Sequence, residues 1–417
     1  MNTKHQYLSA GKAAQTLNTS IDTIRRWDKK GLIKSFRDSN NSRLFSIEEI
    51  KRVRDKNLGA KKIPFKILRN NKKSKFSAIE LFAGAGGTAL GMENAGIKHV
   101  LLNEFDKVAC ETLRINKPQW NIVEDDVKNI KFQRGQADIV QGGFPCQAFS
   151  YAGNKMGFKD IRGTLFFEFA RCVKEVQPKI AIGENVRGLL NHDNGRTLKT
   201  MISVLEELGY RVNFKVLRSQ YLDVPQKRER LIIIGVRNDL DLPICFPKEK
   251  DYIISLREAL HKCPKSAGQE YPARKKQILD KVPPGGYWRD LPTKLQKEYM
   301  GASFFMGGGK TGMARRLSWD EPSLTLTCSP AQKQTERCHP DYTRPLTVRE
   351  YARIQTFPDN WKFAGSVSQQ YKQIGNAVPV NLGYYIGTTV ISMLNGTVTE
   401  DVEEESALMQ QTFSFAT

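Results

Sequence analysis

The sequence predicts an α/β protein: a mostly parallel sheet with helices on both faces, a smaller irregular region inserted late in the chain, and a small basic helical domain in front. Three observations carry this. The strand-like residues 76–82 break into a glycine turn at 83–87 and continue into helix-compatible residues 88–93, the strand–turn–helix order of a nucleotide site. Further β-prone runs at 100–103, 138–143, 179–183 and 231–236 each border a charged or reactive residue. The net charge of +21 is uneven, because residues 1–75 hold 20 Lys+Arg against 6 Asp+Glu and so carry +14 of it. With 40% hydrophobic and 9% aromatic residues among 417, a disordered or fibrous chain is excluded. The longest apolar stretch, residues 382–394, is interrupted by Gly383, Gly387, Thr388 and Thr389. It is shorter than the ~20 residues a bilayer span takes. No apolar leader follows Met1, so a cytoplasmic location is expected. Seven cysteines without a C-x-x-C pair argue against disulfides and a thiolate metal site. No metal is expected.

In the basic front segment, Ser9 can cap a helix through Ala13, Ala14 and Leu17. Residues 18–20 then turn, and Ser20 can cap a second helix with Ile21, Ile24 and Trp27 on one side and Thr23, Arg25, Arg26 and Lys30 on the other. Gly31 ends that helix before β-prone Leu32-Ile33, residues 37–43 form a basic tip, and residues 46–49 open a third helix. A compact basic segment of this kind is the footprint of a polyanion binder. It resembles the winged helix-turn-helix of MerR-type regulators and phage excisionases. The resemblance implies that Arg25, Arg26 and Lys30 face DNA and that Arg37 and Arg43 lie on the wing. Residues 57–75 read as a linker.

Beyond the glycine turn, Glu104 ends the second strand about 20 residues on, where a carboxylate can accept both hydroxyls of a ribose. Asp125-Asp126 fall at the next strand end, with Asp126 available to an adenine amine. A ribose and an adenine without a phosphate-binding lysine point to a nucleoside cofactor such as S-adenosylmethionine. The run at 138–143 delivers Cys146 to the carboxyl edge of the sheet, the run at 179–183 delivers Glu184 and Asn185, and Arg228 and Arg230 precede the run at 231–236. A thiol, a carboxyl and guanidinium groups converge on one edge.

In order, the chain carries F-x-G-x-G-G (82–87), G-F-P-C-Q-x-F-S (143–150), R-G-T-L-F-F (162–167), E-N-V (184–186), Q-x-R-x-R (226–230), R-P-L-T-x-R-E (344–350) and G-N-A-V-P (375–379). By these blocks it resembles the bacterial DNA (cytosine-5)-methyltransferases over residues 76–395. Asp125, Gly183 and Val380 depart from the usual pattern. The resemblance implies a Rossmann-like methyltransferase sheet, and Cys146 as the thiolate that adds to carbon 6 of cytosine and makes carbon 5 nucleophilic. Glu184 then donates to ring nitrogen 3, which requires burial to raise its pKa. Arg228 and Arg230 orient the flipped base and the carboxyl, and Asn185 pins the cysteine loop. Phe82, Gly84, Gly86, Glu104, Phe105, Asp126, Pro145, Leu165 and Asn376 line the S-adenosylmethionine pocket. The helical pattern from 379 to 394 folds back to complete the nucleotide-binding sheet.

Between Gly235 and Arg344 few periodic segments occur, and by position this is the family's target-recognition region. Glycine loops beside Lys310, Arg315 and Arg316 suit DNA contacts, as do Gln147 and Ser150 near the cysteine. The expected division is a helix-turn-helix domain (1–56), linker (57–75), catalytic domain (76–243), target-recognition region (244–343), catalytic C-terminal part (344–395) and a frayed acidic tail (396–417). Double-stranded DNA is the expected partner, with a cognate restriction endonuclease acting on the same site. The catalytic part is expected to be monomeric and the N-terminal domain able to dimerise and to control the enzyme's own transcription. A transfer-RNA cytosine-5 methyltransferase uses the same blocks and is the alternative.

Overall fold

The computed structural model describes residues 7–17, 19, 21–29, 31–38, 41–50, 53, 64–145, 164–306, 310–397 and 399–404. In the N-terminal domain, β1 (Tyr7–Ser9), α1 (Ala10–Thr16), α2 (Ile21–Lys29), β2 (Phe36–Arg37) and β3 (Arg43–Ser46) enclose a small core of Ala13, Ala14, Ile24, Ile33, Phe45, Ile50 and Val53. The Ser9 hydroxyl caps α1 by accepting from the Lys12 amide, and Gly31 takes the left-handed φ of +67° that ends the second helical segment. Leu32-Ile33 form no strand: Ile33 turns into the core, and the wing begins at Phe36, paired with Leu44. Strand β1, absent from the sequence reading, pairs antiparallel with β3. Three residues with alternating exposure give too short a period to read from sequence. Ser20 and Lys30 lie outside the described residues.

The central sheet contains β4 (Ser77–Leu81), β5 (Lys98–Glu104), β6 (Ile122–Glu124), β7 (Ile139–Gly142), β8 (Ile180–Val186), β9 (Tyr210–Arg218) and β11 (Glu229–Arg237), in the order β6-β5-β4-β7-β8-β11-β9. The first five run parallel, and β11 lies antiparallel between β8 and β9. Because the chain steps from β4 outward to β5 and β6 and then returns to β7 on the other side, the crevice at the carboxyl ends of β4 and β7 is the switch point where such sheets bind ligands.

One face of the sheet is covered by α5 (Leu165–Val176) and α6 (Arg196–Glu207), through Phe166, Phe169, Val173, Leu198 and Val204. Met92 of α3 (Gly87–Ala95) joins Leu382, Ile386 and Val390 of α12 (Val380–Leu394) on the other. These two helices almost touch: a Cβ on Gly91 would stand 2.3 Å from the Val380 carbonyl and 2.6 Å from the Tyr384 amide. The last helix is buried along most of its length rather than amphipathic, and the 18-residue window within Val367–Leu394 that has the composition of a membrane span lies 78% inside the molecule.

The expected acidic tail is partly ordered. Val402–Glu404 form β14, antiparallel to β12 (Cys245–Pro247), with Val402 buried and Glu403 paired to Lys215 at 2.8 Å. Residues 245–247, expected to open the target-recognition region, thus pack with the catalytic core instead. That region has its own core of Tyr271, Ile278, Leu279, Trp288, Tyr299 and Met300, built partly from α8 (Ala273–Leu279) and α9 (Thr293–Met300). Its buried anchor is Glu336, which accepts from the Tyr299 hydroxyl and the Ala314 amide and pairs with Lys275.

Candidate active site

A cavity of about 620 Å³ opens at the switch point, and its wall includes Phe82, Gly84, Glu104, Pro145, Glu184 and Asn376. Phe82 takes a φ of +60°, unusual for a bulky side chain, and turns the chain sharply out of β4. Glu104 stands at the end of β5. Its Oε2 accepts from the Gly84 amide at 2.7 Å, and its Oε1 from the Phe105 and Asp106 amides at 2.8 Å each. A carboxylate fixed by three backbone donors keeps lone pairs for a diol. Gln141 on the same wall is 2% exposed and its Oε1 has no partner. An orphaned buried acceptor, a preorganised carboxylate and a volume within the ~300–1,000 Å³ of small-molecule sites fit a nucleoside cofactor.

Four residues expected at this pocket are not on its wall. Gly86 packs toward Leu113, Trp120 and Trp361, and Phe105 is 73% exposed. Asp126 uses its carboxylate to cap the short helical turn after it, accepting from the Lys128 amide at 3.1 Å, and Leu165 packs beneath the sheet as the first residue of α5. Asp106, Thr88 and Lys372 do line the cavity, although the sequence assigned none of them a role at the site.

On the far side of the cavity, Glu184 and Arg230 lie diagonally across the β8/β11 pair, where Glu184 faces Ile232 in register. Arg230 Nε donates to Glu184 Oε1 at 2.7 Å. Burial pushes the Arg230 guanidinium below its ordinary range, and Glu184 opposes that shift. A Cβ on Gly143 would lie 3.1 Å from Glu184 Oε2, so glycine leaves room for that oxygen. Asn185, on the opposite face of β8, donates to the Phe144 carbonyl at 2.9 Å and fixes the segment leading to Pro145. Cys146, Gln147 and Ser150 lie outside the described residues.

Arg228 departs from its expected role. It is 1% exposed and donates to the carbonyls of Leu326 (3.2 Å), Gly375 (3.1 Å) and Ala377 (2.9 Å). Burial, with Arg230 nearby, drives its guanidinium well below its usual range. It ties the segment after β13 (Ser323–Leu324) to the end of α11 (Val367–Asn376) and does not hydrogen-bond the Glu184 carboxylate. Gln226 is likewise structural, bonding the Leu326 amide and Gln355.

The expected DNA contacts are also partly engaged. Lys310 donates to the Met306 carbonyl, and Arg315 is half-buried near the Tyr287 ring. Arg316 is buried and bound to the Leu279, Val282 and His339 carbonyls, so it holds the region together and does not reach a phosphate. Arg43 pairs with Asp28 at 3.0 Å, and Arg25 is exposed on α2. Arg26 stacks over the Tyr221 ring of the catalytic body at 4.3 Å. His339, beside Cys338 in the sequence, accepts from the Asp341 and Tyr342 amides through Nδ1.

Comparison with known proteins agrees with this architecture. Residues 76–392 match the C-5 cytosine-specific DNA methylase family, and residues 9–45 match the MerR family of regulatory proteins. The Type II methyltransferase M.Eco47II of Escherichia coli is 56% identical over 95% of this chain and 98% of its own length. M.PspPI of Psychrobacter sp. is 52% identical over 93% of this chain and 97% of its own length. A solved methyltransferase encoded within an Escherichia coli prophage shares the fold, with a TM-score of 0.57 at 24% identity over 77% of this chain and all of its own. With a preorganised carboxylate at the switch point, the Glu184–Arg230 pair beside it and a family match spanning the whole sheet, the chain belongs to the C-5 cytosine-specific DNA methylases.

Proposed function

We propose that the chain transfers a methyl group from S-adenosylmethionine to carbon 5 of a flipped-out cytosine in duplex DNA, as the modification enzyme of a Type II restriction-modification system. The observation that carries the residue assignment is that Glu184 and Pro145 share a wall with Glu104, so base and cofactor sites meet in one cavity. Bound there, the cofactor supplies the methyl group as a sulfonium. The chain's residues do the rest. Cys146, one residue past Pro145, adds as a thiolate to carbon 6; Glu184 meets ring nitrogen 3; Arg230 holds the Glu184 carboxyl in place. After transfer the carbon-5 proton leaves, the carbon-6–sulfur bond breaks and the thiolate is regenerated. Glu104 binds the ribose, with Phe82, Gly84 and Asn376 around it.

The relatives named as Type II methyltransferases support the restriction-modification setting, and a chromosomal or plasmid substrate places the enzyme in the cytoplasm. The N-terminal domain binds DNA separately, and control of its own promoter is its proposed use. The Cys146→Ser variant tests the chemistry: methylation should vanish while DNA binding persists, and DNA carrying 5-fluorocytosine should trap the wild-type enzyme covalently. Near-normal turnover by Cys146→Ser, or no adduct, overturns the mechanism.

A further inference from the structure

Arg230 stands between two spaces. Together with Glu184 it lines the cofactor cavity. Together with Val186 it also lines a slot of about 450 Å³ whose wall further includes Arg187, Arg218 and Lys227 from the catalytic body and, from the N-terminal domain, Thr19 and Thr23. Thr19 lies in the turn between α1 and α2, and Thr23 in the first turn of α2, the helix whose polar side the sequence assigns to DNA. Arg26, one helical turn beyond Thr23, lies with its guanidinium 4.3 Å from the centre of the Tyr221 ring. Arg218 approaches the same ring at 4.9 Å and is neutralised by Glu249 at 2.9 and 3.0 Å.

The slot and the cavity share Val186 and Arg230 on their walls, so a nucleotide entering by the slot arrives beside the Glu184 carboxylate that Arg230 holds. A slot of this volume suits a single nucleotide, by the usual ~300–1,000 Å³ of small-ligand sites. It does not admit a duplex whose major groove alone is ~12 Å wide and ~8.5 Å deep. We propose that the helix-turn-helix domain rests across the DNA entrance of the methyltransferase, held by Arg26 on Tyr221. A duplex then reaches Glu184 only after α2 has lifted away, and lifting frees the polar side of α2 to bind DNA in its own right.

The contact suits such an exchange. Arg26 keeps part of its surface in solvent while the Tyr221 ring beneath it is buried, and a cation–π contact from a partly solvated guanidinium is weak enough for DNA phosphates to displace. The two DNA-binding activities of the chain are therefore linked: a domain closed on the catalytic body neither grips an operator nor admits a substrate. This inference rests on Glu184 meeting the target base, and wild-type turnover in the same assay tests that reading separately.

The test is steady-state methylation of a duplex whose modified cytosine has been located by bisulfite sequencing, using full-length variants. Tyr221→Leu removes the ring without touching the catalytic residues or the DNA face of α2. It should lower the KM for DNA by about threefold to tenfold, the range a partly exposed cation–π contact supports. The kcat and the cofactor KM should stay unchanged, and Tyr221→Phe, which keeps the ring, should behave as wild type. Tyr221→Met, which removes the ring but keeps an apolar side chain of similar length, should lower the DNA KM in the same way, and it decides the question where Tyr221→Leu does not fold. An unchanged or raised DNA KM in a folded Tyr221→Leu or Tyr221→Met protein overturns the proposal, a raised KM showing that the domain adds affinity instead of covering the entrance.

Discussion

Replacing Arg228 with Met separates a structural strut from a base-contacting arginine. The side chain is 1% exposed and its three acceptors are backbone carbonyls that remain after the substitution. Ala377 O keeps a donor, because Gln355 Nε2 also reaches it at 2.9 Å. Leu326 O and Gly375 O lose theirs, and an orphaned buried carbonyl costs about 1–3 kcal/mol. Against this stands the relief of a guanidinium that burial already disfavours. The net expectation is a loss of about 2–4 kcal/mol. Urea unfolding should show it as a lower midpoint with an unchanged slope. Gly375 precedes Asn376 on the cavity wall, so cofactor affinity measured by calorimetry should fall in parallel, with turnover following it. A variant that unfolds and binds cofactor like wild type yet fails to methylate would show that Arg228 touches the base, and the strut assignment would be refuted.

Glu104→Ala should weaken cofactor binding by about one to two decades, through loss of charge-assisted hydrogen bonds of ~1.5–3 kcal/mol; unchanged calorimetric affinity removes the assignment. Gly91→Ala, which in an ordinary helix interior would stabilise, should cost about 1–3 kcal/mol because its Cβ meets the α12 backbone. A higher melting temperature would contradict that packing. His339 is held neutral by burial, with its pKa pushed down to about 4, below the usual ~6.5. The unfolded chain binds the extra proton between those values, so stability is full above pH 6.5 and falls as pH drops toward 4, by an amount on the order of 2–3 kcal/mol. Chemical denaturation of His339→Gln should show a flatter profile over that window; an identical slope would rule His339 out as the cause.

Most strands of the sheet were legible because each apolar run stops at a residue that must face solvent or ligand, as at Glu104 and Glu184; β9 was not, since charged and polar residues interrupt its apolar positions. The carboxylate at the end of β5 followed from the same logic. The roles of the two arginines did not. Which of Arg228 and Arg230 reaches Glu184 depends on the antiparallel entry of β11 between β8 and β9, and on a register that no local spacing encodes. Asp126 carries a second task that its spacing did not show: just before a helical turn, one of its carboxylate oxygens accepts from the Lys128 amide. Strand β14 escaped notice because three residues among acidic neighbours carry no periodic signal without their partner, β12. Arg316 and Lys310 read as surface cations, since a sequence does not show which lysines and arginines will be spent on carbonyls.

The close approach of α12 to α3 also bears on how the enzyme comes into being. Asn381 accepts from the Leu68 amide and donates to the carbonyls of Lys66 and Asp223, so the catalytic core closes through contacts spanning more than 300 positions. Such long-range closure is slow, because the chain must lose loop entropy before the contact rewards it. A growing chain on the ribosome can form β4, β5 and the glycine turn early, yet α3 stays uncovered until residues 380–394 have emerged from the exit tunnel. The half-made protein therefore exposes a glycine-faced apolar helix throughout synthesis, and cofactor capture, like modification of the host's own DNA, begins only once the last helix has been translated.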